Sequence, residues 1–343
     1  MKVKCGYTFT ATALMLIVLW LSGCQRGTPP LTELSGPIMG TTYHIKFYHS
    51  SNHSEEQKVQ AAVVGAMQLV DSLMSTYKNS SEVTQFNHSE PGKWVSLSPE
   101  TFEVVAKSME IAKLSSGAFD VTVGPLVRSW GFGPDARPVR IPSNDAVTKM
   151  LQKTGYLKLS LDKERTSLKK EDYVELDLSA IAKGYAVDKV AEALEKFGIS
   201  SYLVEIGGEI RASGKKANNA DWILAIESPV DDMRQVWKKI SIGNNALATS
   251  GDYRNYFEEN GVRYSHTIDP KTGFPVQHKL TSVTVLRPAS AEADAMATMF
   301  MVLGEQKGYE LAVKNNIAAY FIYRNGNTFG VKLTKEFEPY LLN

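Results

Sequence analysis

Asp294 and Thr298 stand four residues apart in Ala291-Glu292-Ala293-Asp294-Ala295-Met296-Ala297-Thr298, a spacing that puts both on one face of a helix. Small residues surround them. A carboxylate and a hydroxyl that point the same way, with free space before them, suit a hard cation that also holds phosphate oxygens. The plainer account is an acidic first turn that complements the helix dipole. A second segment, Asp177-Leu178-Ser179-Ala180-Ile181-Ala182-Lys183-Gly184, reads as a strand, a turn and a helix start. Unpaired N–H groups at a helix N-terminus favour a phosphate. Ala180, Ala182 and Gly184 let a ligand approach the backbone, and Lys183 could pair with it. Spacing alone fits a capped amphipathic helix equally well, with Asp177 or Ser179 as the cap. His266 precedes the turn Asp269-Pro270-Lys271-Thr272-Gly273, which has strong turn chemistry. A strand-end histidine near the hydroxyls of Ala248-Thr249-Ser250-Gly251 is a candidate general base, although a lone histidine is more often structural.

Four further segments are weaker signals. Gly207-Gly208, inside Glu205-Ile206-Gly207-Gly208-Glu209, permits positive φ or a close ligand approach, and is otherwise a hairpin turn. Gly117-Ala118-Phe119-Asp120-Val121-Thr122 reads as a turn entering a strand. Met39-Gly40-Thr41-Thr42-Tyr43 and Met74-Ser75-Thr76-Tyr77, the latter with Phe86-Asn87 beyond it, could line a flat ring site or belong to the core.

These residues must be positioned by regular elements. Alternation predicts a strand over 38–48, and a 3.6-residue period predicts a helix over 55–75. Ser98-Pro99 reads as cap and first turn of a helix to Leu114; a short helix covers 143–153. Strands are expected at 158–161, 166–169 and 173–176, followed by a strong helix over 179–197 that Gly198 closes. Further strands fall at 201–205, 209–213, 221–227, 237–242 and 280–287. Helices over 291–303 and 307–314 and a hairpin of 317–323 with 330–333 complete the chain. Strands and helices come in separate runs, which predicts an α+β fold: a mixed, largely antiparallel sheet packed with helices.

The N-terminus carries a different signal. Lys2 and Lys4 precede an apolar run from Ala11 to Leu21, shorter than the ~20 residues of a membrane span and suited to a secretory signal. It ends in Leu21-Ser22-Gly23-Cys24, which resembles the lipobox of bacterial lipoproteins, with Cys24 as the lipidated first residue. The expected organisation is a signal over 1–23, a tether over 24–35 and one domain over 36–343. Cys5 lies in the removed segment, so the mature chain keeps no disulfide. The full chain carries 38 Lys and Arg against 37 Asp and Glu. Removing Lys2 and Lys4 leaves a net charge near −1, and no basic surplus points to nucleic acid.

In this order, the seven segments resemble the ApbE family, the FAD:protein FMN transferases. The resemblance runs from about Ile38 to Leu333. It implies an ApbE-like architecture related to the T-fold, with FAD as substrate and Mg²⁺ as cofactor. FAD contacts would fall on Met39, Tyr77, Ala118, Phe119, Asp120, Asp177, Lys183 and Ile268. Mg²⁺ would be held by the side chains of Asp294 and Thr298 and by backbone oxygens of Ala180 and Ala297. His266 matches a histidine assigned to catalysis. The implied reaction moves FMN from FAD to a Thr or Ser hydroxyl of a target protein and releases AMP. Implied targets are flavin-bearing subunits of sodium-pumping NADH:quinone reductase or Rnf-type complexes. The implied location is the periplasmic side of a membrane, lipid-anchored, and the absence of Asp at position 25 leans toward the outer membrane. Two other readings fit the motifs: a Mg²⁺-dependent FAD pyrophosphatase and a non-enzymatic FAD-binding lipoprotein.

Overall fold

The computed structural model describes residues 29–49, 53–133, 141–230, 235–253, 256–259 and 261–342. The expected signal, Cys24 and the first part of the tether, up to residue 28, lie outside the described residues. Among the described residues, no helix is long and apolar enough to cross a membrane.

Strands β1 (Leu31–Ile38) and β2 (Thr41–Tyr48) form an antiparallel hairpin where one strand over 38–48 is expected. Met39 and Gly40 make the break. Both take positive φ, 49° and 72°, as a two-residue hairpin turn requires. β1 also shortens the expected tether, because residues 31–35 are already paired with β2. Its Gly36 and Pro37 give it a linker-like composition, but an edge strand tolerates Pro.

Six more strands extend this hairpin into an eight-stranded sheet: β6 (Tyr202–Ile206), β7 (Glu209–Ser213), β10 (Ala246–Gly251), β13 (Leu280–Arg287), β14 (Ala318–Asn325) and β15 (Thr328–Leu333). The order is β1-β2-β6-β7-β10-β13-β14-β15, and every pairing is antiparallel. One face packs against helices α1 (His53–Met74), α3 (Pro99–Leu114), α6 (Ala182–Lys196) and α7 (Ser290–Lys314). Ile45, Val204, Val283 and Phe321 from the strands meet Val63, Met67, Val190 and Phe300 from the helices there. The other face, through Leu247, Leu286 and Ile322, is covered by Trp222, by Ile226 and Ile240 of the hairpin β8 (Ile223–Glu227) and β9 (Val236–Ser241), and by Phe337. β13 is therefore buried along seven of its eight residues, and its buried hydroxyls are hydrogen-bonded, Thr281 Oγ1 donating to Ile322 O (2.7 Å) and Thr284 Oγ1 lying 2.9 Å from Thr249 Oγ1, as burial of polar groups requires.

Three smaller pieces complete the molecule. Helix α2 (Glu82–His88) follows α1; β3 (Trp94–Ser96), β4 (Leu159–Asp162) and β5 (Ser167–Lys170) form a small sheet. The strand expected at 173–176 is absent. The side-chain amide of Asn87 there accepts from Leu176 N (2.6 Å) and donates to Leu176 O (2.9 Å), doing for one residue what a neighbouring strand would do. Helices α4 (Gly124–Ser129) and α5 (Asn144–Leu151) share a satellite core with Trp130 and Ile268, beneath the hairpin of β11 (Tyr256–Glu259) and β12 (Val262–Ser265). The turn at 117–122 leads into α4 and not into a strand.

The two helices expected near the C-terminus are the two arms of α7, joined at Gly304, whose φ of 78° and ψ of 178° interrupt the helix. A Cβ there would lie 2.9 Å from the His278 ring.

Candidate active site

α6 and α7 start beside one another, and each is capped by an acid of the other. Neither has a side-chain cap of its own. Asp188 of α6 accepts from Ser290 N and Ala291 N of α7, both at 2.9 Å. Asp294 of α7 accepts from Gly184 N of α6 at 3.0 Å. The contact is so close that a Cβ on Gly184 would sit 2.4 Å from the Ser290 carbonyl oxygen. This crossing carries Asp294 to the N-terminal end of α6, where orphan N–H groups and the dipole favour anions.

Asp294 and Thr298 line a cavity of about 500 Å³, together with Ala180, Lys183, Ser250, His266 and Ile268. The expectation that both face one open space agrees with this geometry. Ser250 Oγ, on β10, lies 3.3 Å from Thr298 Oγ1. Among the described residues, no three His, Cys, Asp or Glu side chains come together as a metal site. The donors grouped at this spot are the Asp294 carboxylate, the Thr298 and Ser250 hydroxyls and nearby backbone oxygens. That all-oxygen set fits a hard divalent cation. Burial raises the Asp294 carboxyl above its usual range, against the opposing pull of Lys183 and the Gly184 N–H, so a positive ligand would find a carboxylate that lacks sufficient counter-charge. Ala180 lines the cavity, but Ala297 is fully buried inside α7 and does not.

His266 follows β12 on a well-fixed segment. Asp269 N donates to Phe274 O (2.9 Å), Gly273 N to Asp269 O (2.8 Å) and Lys271 N to the Asp269 side chain (2.9 Å), so the expected turn is formed. The His266 ring packs edge-on against Phe132 at 6.2 Å. Phe132 continues into Phe257 (5.5 Å), Tyr264 and Trp130. This aromatic stack fixes one wall of the cavity. Asp252, just past β10, is engaged by Arg324 at 3.0 Å.

A second cavity, of about 680 Å³, is lined by Met39, Thr41, Met74, Tyr77 and Asp177. Ser179 and Lys183 line both cavities. The two spaces therefore adjoin at the start of α6, and together they suit an elongated ligand with a charged middle. Tyr77 is 71% exposed and Met74 is buried, so this end offers an open aromatic face. Asp177 Oδ1 accepts from Ser179 N at 3.0 Å, fixing the turn between the cavities.

Ala118, Phe119 and Asp120 are brought near this place but line neither cavity. Asp120 spends its carboxylate on Thr122 N (2.8 Å), Thr122 Oγ1 (2.6 Å) and Tyr156 N (2.8 Å). Burial nonetheless raises its pKa, against those hydrogen bonds. Val121 O accepts from Asp177 N at 2.7 Å, so this loop supports the Asp177 turn from behind. Glu209 is the residue to which the sequence assigned no role. It is 5% exposed, lines the first cavity and pairs with Lys183 at 3.1 Å. Burial raises its carboxyl above the usual range, and Lys183 beside it works to keep it ionised. Its position beside two glycines is the signal that could have marked it.

The ApbE family model matches residues 39–321, which include every cavity-lining residue named above. The chain belongs to the ApbE family. Among its ApbE relatives, the FAD:protein FMN transferase of Haemophilus influenzae is 43% identical over 94% of both chains. The flavin transferase ApbE of Vibrio cholerae superposes with a TM-score of 0.85 at 40% identity, covering 91% of this chain and all of that one. The flavinyl transferase ApbE of Pseudomonas stutzeri, in its apo form, gives 0.83 at 39% identity, over 91% and 96%. The α+β architecture of a largely antiparallel sheet and covering helices is thus the ApbE fold, and the chain is a transferase.

Proposed function

We propose that this protein transfers FMN from FAD to a Ser or Thr hydroxyl of a target protein and releases AMP. One observation carries the reading: two cavities of different character meet at Ser179 and Lys183. FAD has that shape, two ring systems joined through a diphosphate. One cavity offers the open face of Tyr77 with Met39; the other holds His266, Asp294 and Thr298. The names of the relatives, FAD:protein FMN transferase, support the same substrate.

The steps follow from the side chains. Lys183 and the N-terminal end of α6 meet the diphosphate and offset its charge. The target hydroxyl attacks the phosphorus on the FMN side. A phosphoester bond forms, the anhydride bond breaks, and AMP leaves with the bridging oxygen. His266 accepts the hydroxyl proton. Asp294 and Thr298 would hold Mg²⁺, with Ala180 as a backbone donor, while Ala297 stays inside α7. Mg²⁺, when bound, supplies charge neutralisation at the transferring phosphoryl group. Met39, Tyr77, Asp177 and Ile268 bind and orient FAD, and Ala118, Phe119 and Asp120 support that end.

The acceptor belongs to a class of membrane redox subunits, of sodium-pumping NADH:quinone reductase or Rnf type. It would meet an enzyme held by lipid on Cys24 at the periplasmic side of a membrane, the outer membrane favoured. Incubation with FAD, Mg²⁺ and such a subunit, followed by intact-mass analysis, tests the proposal. A subunit heavier by one phosphoester-linked FMN, with AMP in equal amount, is expected. AMP and free FMN with an unmodified subunit would make the protein a pyrophosphatase; unchanged FAD would leave a binder.

A further inference from the structure

Glu209 has no part in the steps above, yet its placement is costly. It ends the Gly207-Gly208 turn between β6 and β7, 95% hidden from solvent. Its Oε1 lies 3.1 Å from Lys183 Nζ, and its Oε2 is enclosed with no hydrogen-bond partner. Burying a carboxyl group is costly unless it is paired, and Lys183 is the partner this one has. The same turn also touches the lysine stem. A Cβ on Gly207 would lie 3.3 Å from Lys183 Cδ and 2.9 Å from Thr41 Cγ2, and Gly207 itself sits at φ 61°. The turn thus meets Lys183 twice, with bare glycine against the stem and a carboxylate against the head.

We propose that the Gly207-Gly208-Glu209 turn is a clamp that aims Lys183 at the junction of the two cavities, with Glu209 as a positioning residue. This rests on the reading of FAD as the substrate. Lys183 has a second carboxylate within reach, Asp294 at 3.7 Å. Asp294 is the residue assigned to the cation. Glu209 keeps the ammonium off it, so that two positive charges, lysine and cation, stand on separate carboxylates and face the same diphosphate. Without Glu209, the lysine turns to Asp294 and is lost to the diphosphate.

This clamp predicts an effect opposite in sign to simple charge. Removing a carboxylate from a cavity wall should tighten an anionic ligand; removing the clamp should loosen it. The experiment is FAD binding to the protein, followed by flavin fluorescence in chelator and again in Mg²⁺, for Glu209→Gln, Lys183→Met and the double variant. Glu209→Gln is expected to weaken FAD about tenfold, in line with one lost charge-assisted hydrogen bond. Lys183→Met should do the same, and the double variant should be no weaker than Lys183→Met alone. Binding in Glu209→Gln equal to or tighter than the parent overturns the clamp, as does a double variant whose loss is the product of the two. If Glu209→Gln does not fold, Glu209→Asp carries the test: a smaller weakening is expected, and no change overturns the clamp. Failure of the parent protein itself to bind FAD would remove the functional reading and the clamp together.

Discussion

Asp294 has two duties, and they can be separated. It caps α6 through Gly184 N, and it faces the cavity beside Thr298. Asp294→Asn keeps an oxygen for the cap and removes the charge from the cation site. The expected outcome is a folded protein with Mg²⁺ binding and FMN transfer both lost, read by calorimetry and by flavin on the acceptor. Full transfer by this variant in Mg²⁺ would remove Asp294 from the assignment. Asp294→Ala loses the cap as well, which costs about 1 kcal/mol more in unfolding free energy. At this scale the sequence singled out His266, Asp294 and Lys183 from distant segments, and all three line one cavity. It was least legible for Asp120, because a buried acid that bonds its own loop and one that binds a ligand look alike in a row of letters. Glu209 escaped for a related reason: nothing local shows that the β6–β7 turn reaches Lys183.

The crossing of α6 and α7 is the element on which the site depends. Gly184→Ala forces a methyl group into the Ser290 carbonyl. Backbone cannot yield as a side-chain tip does, so the variant should lose about 1–3 kcal/mol or more in a urea titration and lose cation binding with it. A stability equal to the parent would mean that the helices separate freely. α7 is also tied to α3. Glu292 Oε1 accepts from Lys107 at 2.8 Å and Oε2 from Arg287 at 3.1 Å. Burial works to raise the Glu292 pKa, but Lys107 and then Arg287 outweigh it and hold it below the ordinary value. A depressed folded pKa stabilises above the unfolded value of about 4.3 and is lost as pH falls through the lower folded one. Glu292→Gln should therefore be less stable than the parent by about 0.5–1 kcal/mol near neutrality, with the gap closing below about pH 4. A gap that is constant with pH would assign it to packing. Element by element, α3 was legible because Ser98 and Pro99 mark its start and Ser98 does cap Thr101 N. β10 was not, because Ala-Leu-Ala-Thr-Ser-Gly carries little strand propensity; pairing with β7 and β13 makes it a strand.

At the scale of the molecule, separate runs of strands and helices were enough for the fold class. The order of strands in the sheet was not legible, because β10 pairs with β7 across the β8–β9 insertion, a long-range choice that no local pattern encodes. The boundary of the tether was misplaced for a physical reason as well: an edge strand with Gly and Pro looks like a linker until its partner is known. The position of the enzyme in the cell rests on Leu21 to Cys24. Expressed from its own gene in a bacterium, the protein should begin at Cys24, carry acyl chains and partition into detergent. Cys24→Ala should leave it out of the membrane fraction. A soluble, cleaved parent protein would sink that proposal.

His266 lines the cavity that adjoins, at Ser179 and Lys183, the one holding Met39 and Tyr77, and the proposed mechanism has it take the proton from the acceptor hydroxyl. The most direct measurement is His266→Ala, with transfer rate, FAD dissociation constant and melting temperature taken on the same preparation. Loss of a placed base lowers a rate by about 10² to 10⁴. A fall of that order in FMN transfer is expected, with FAD affinity within a few-fold of the parent and an unchanged melting temperature. A transfer rate equal to the parent would contradict it.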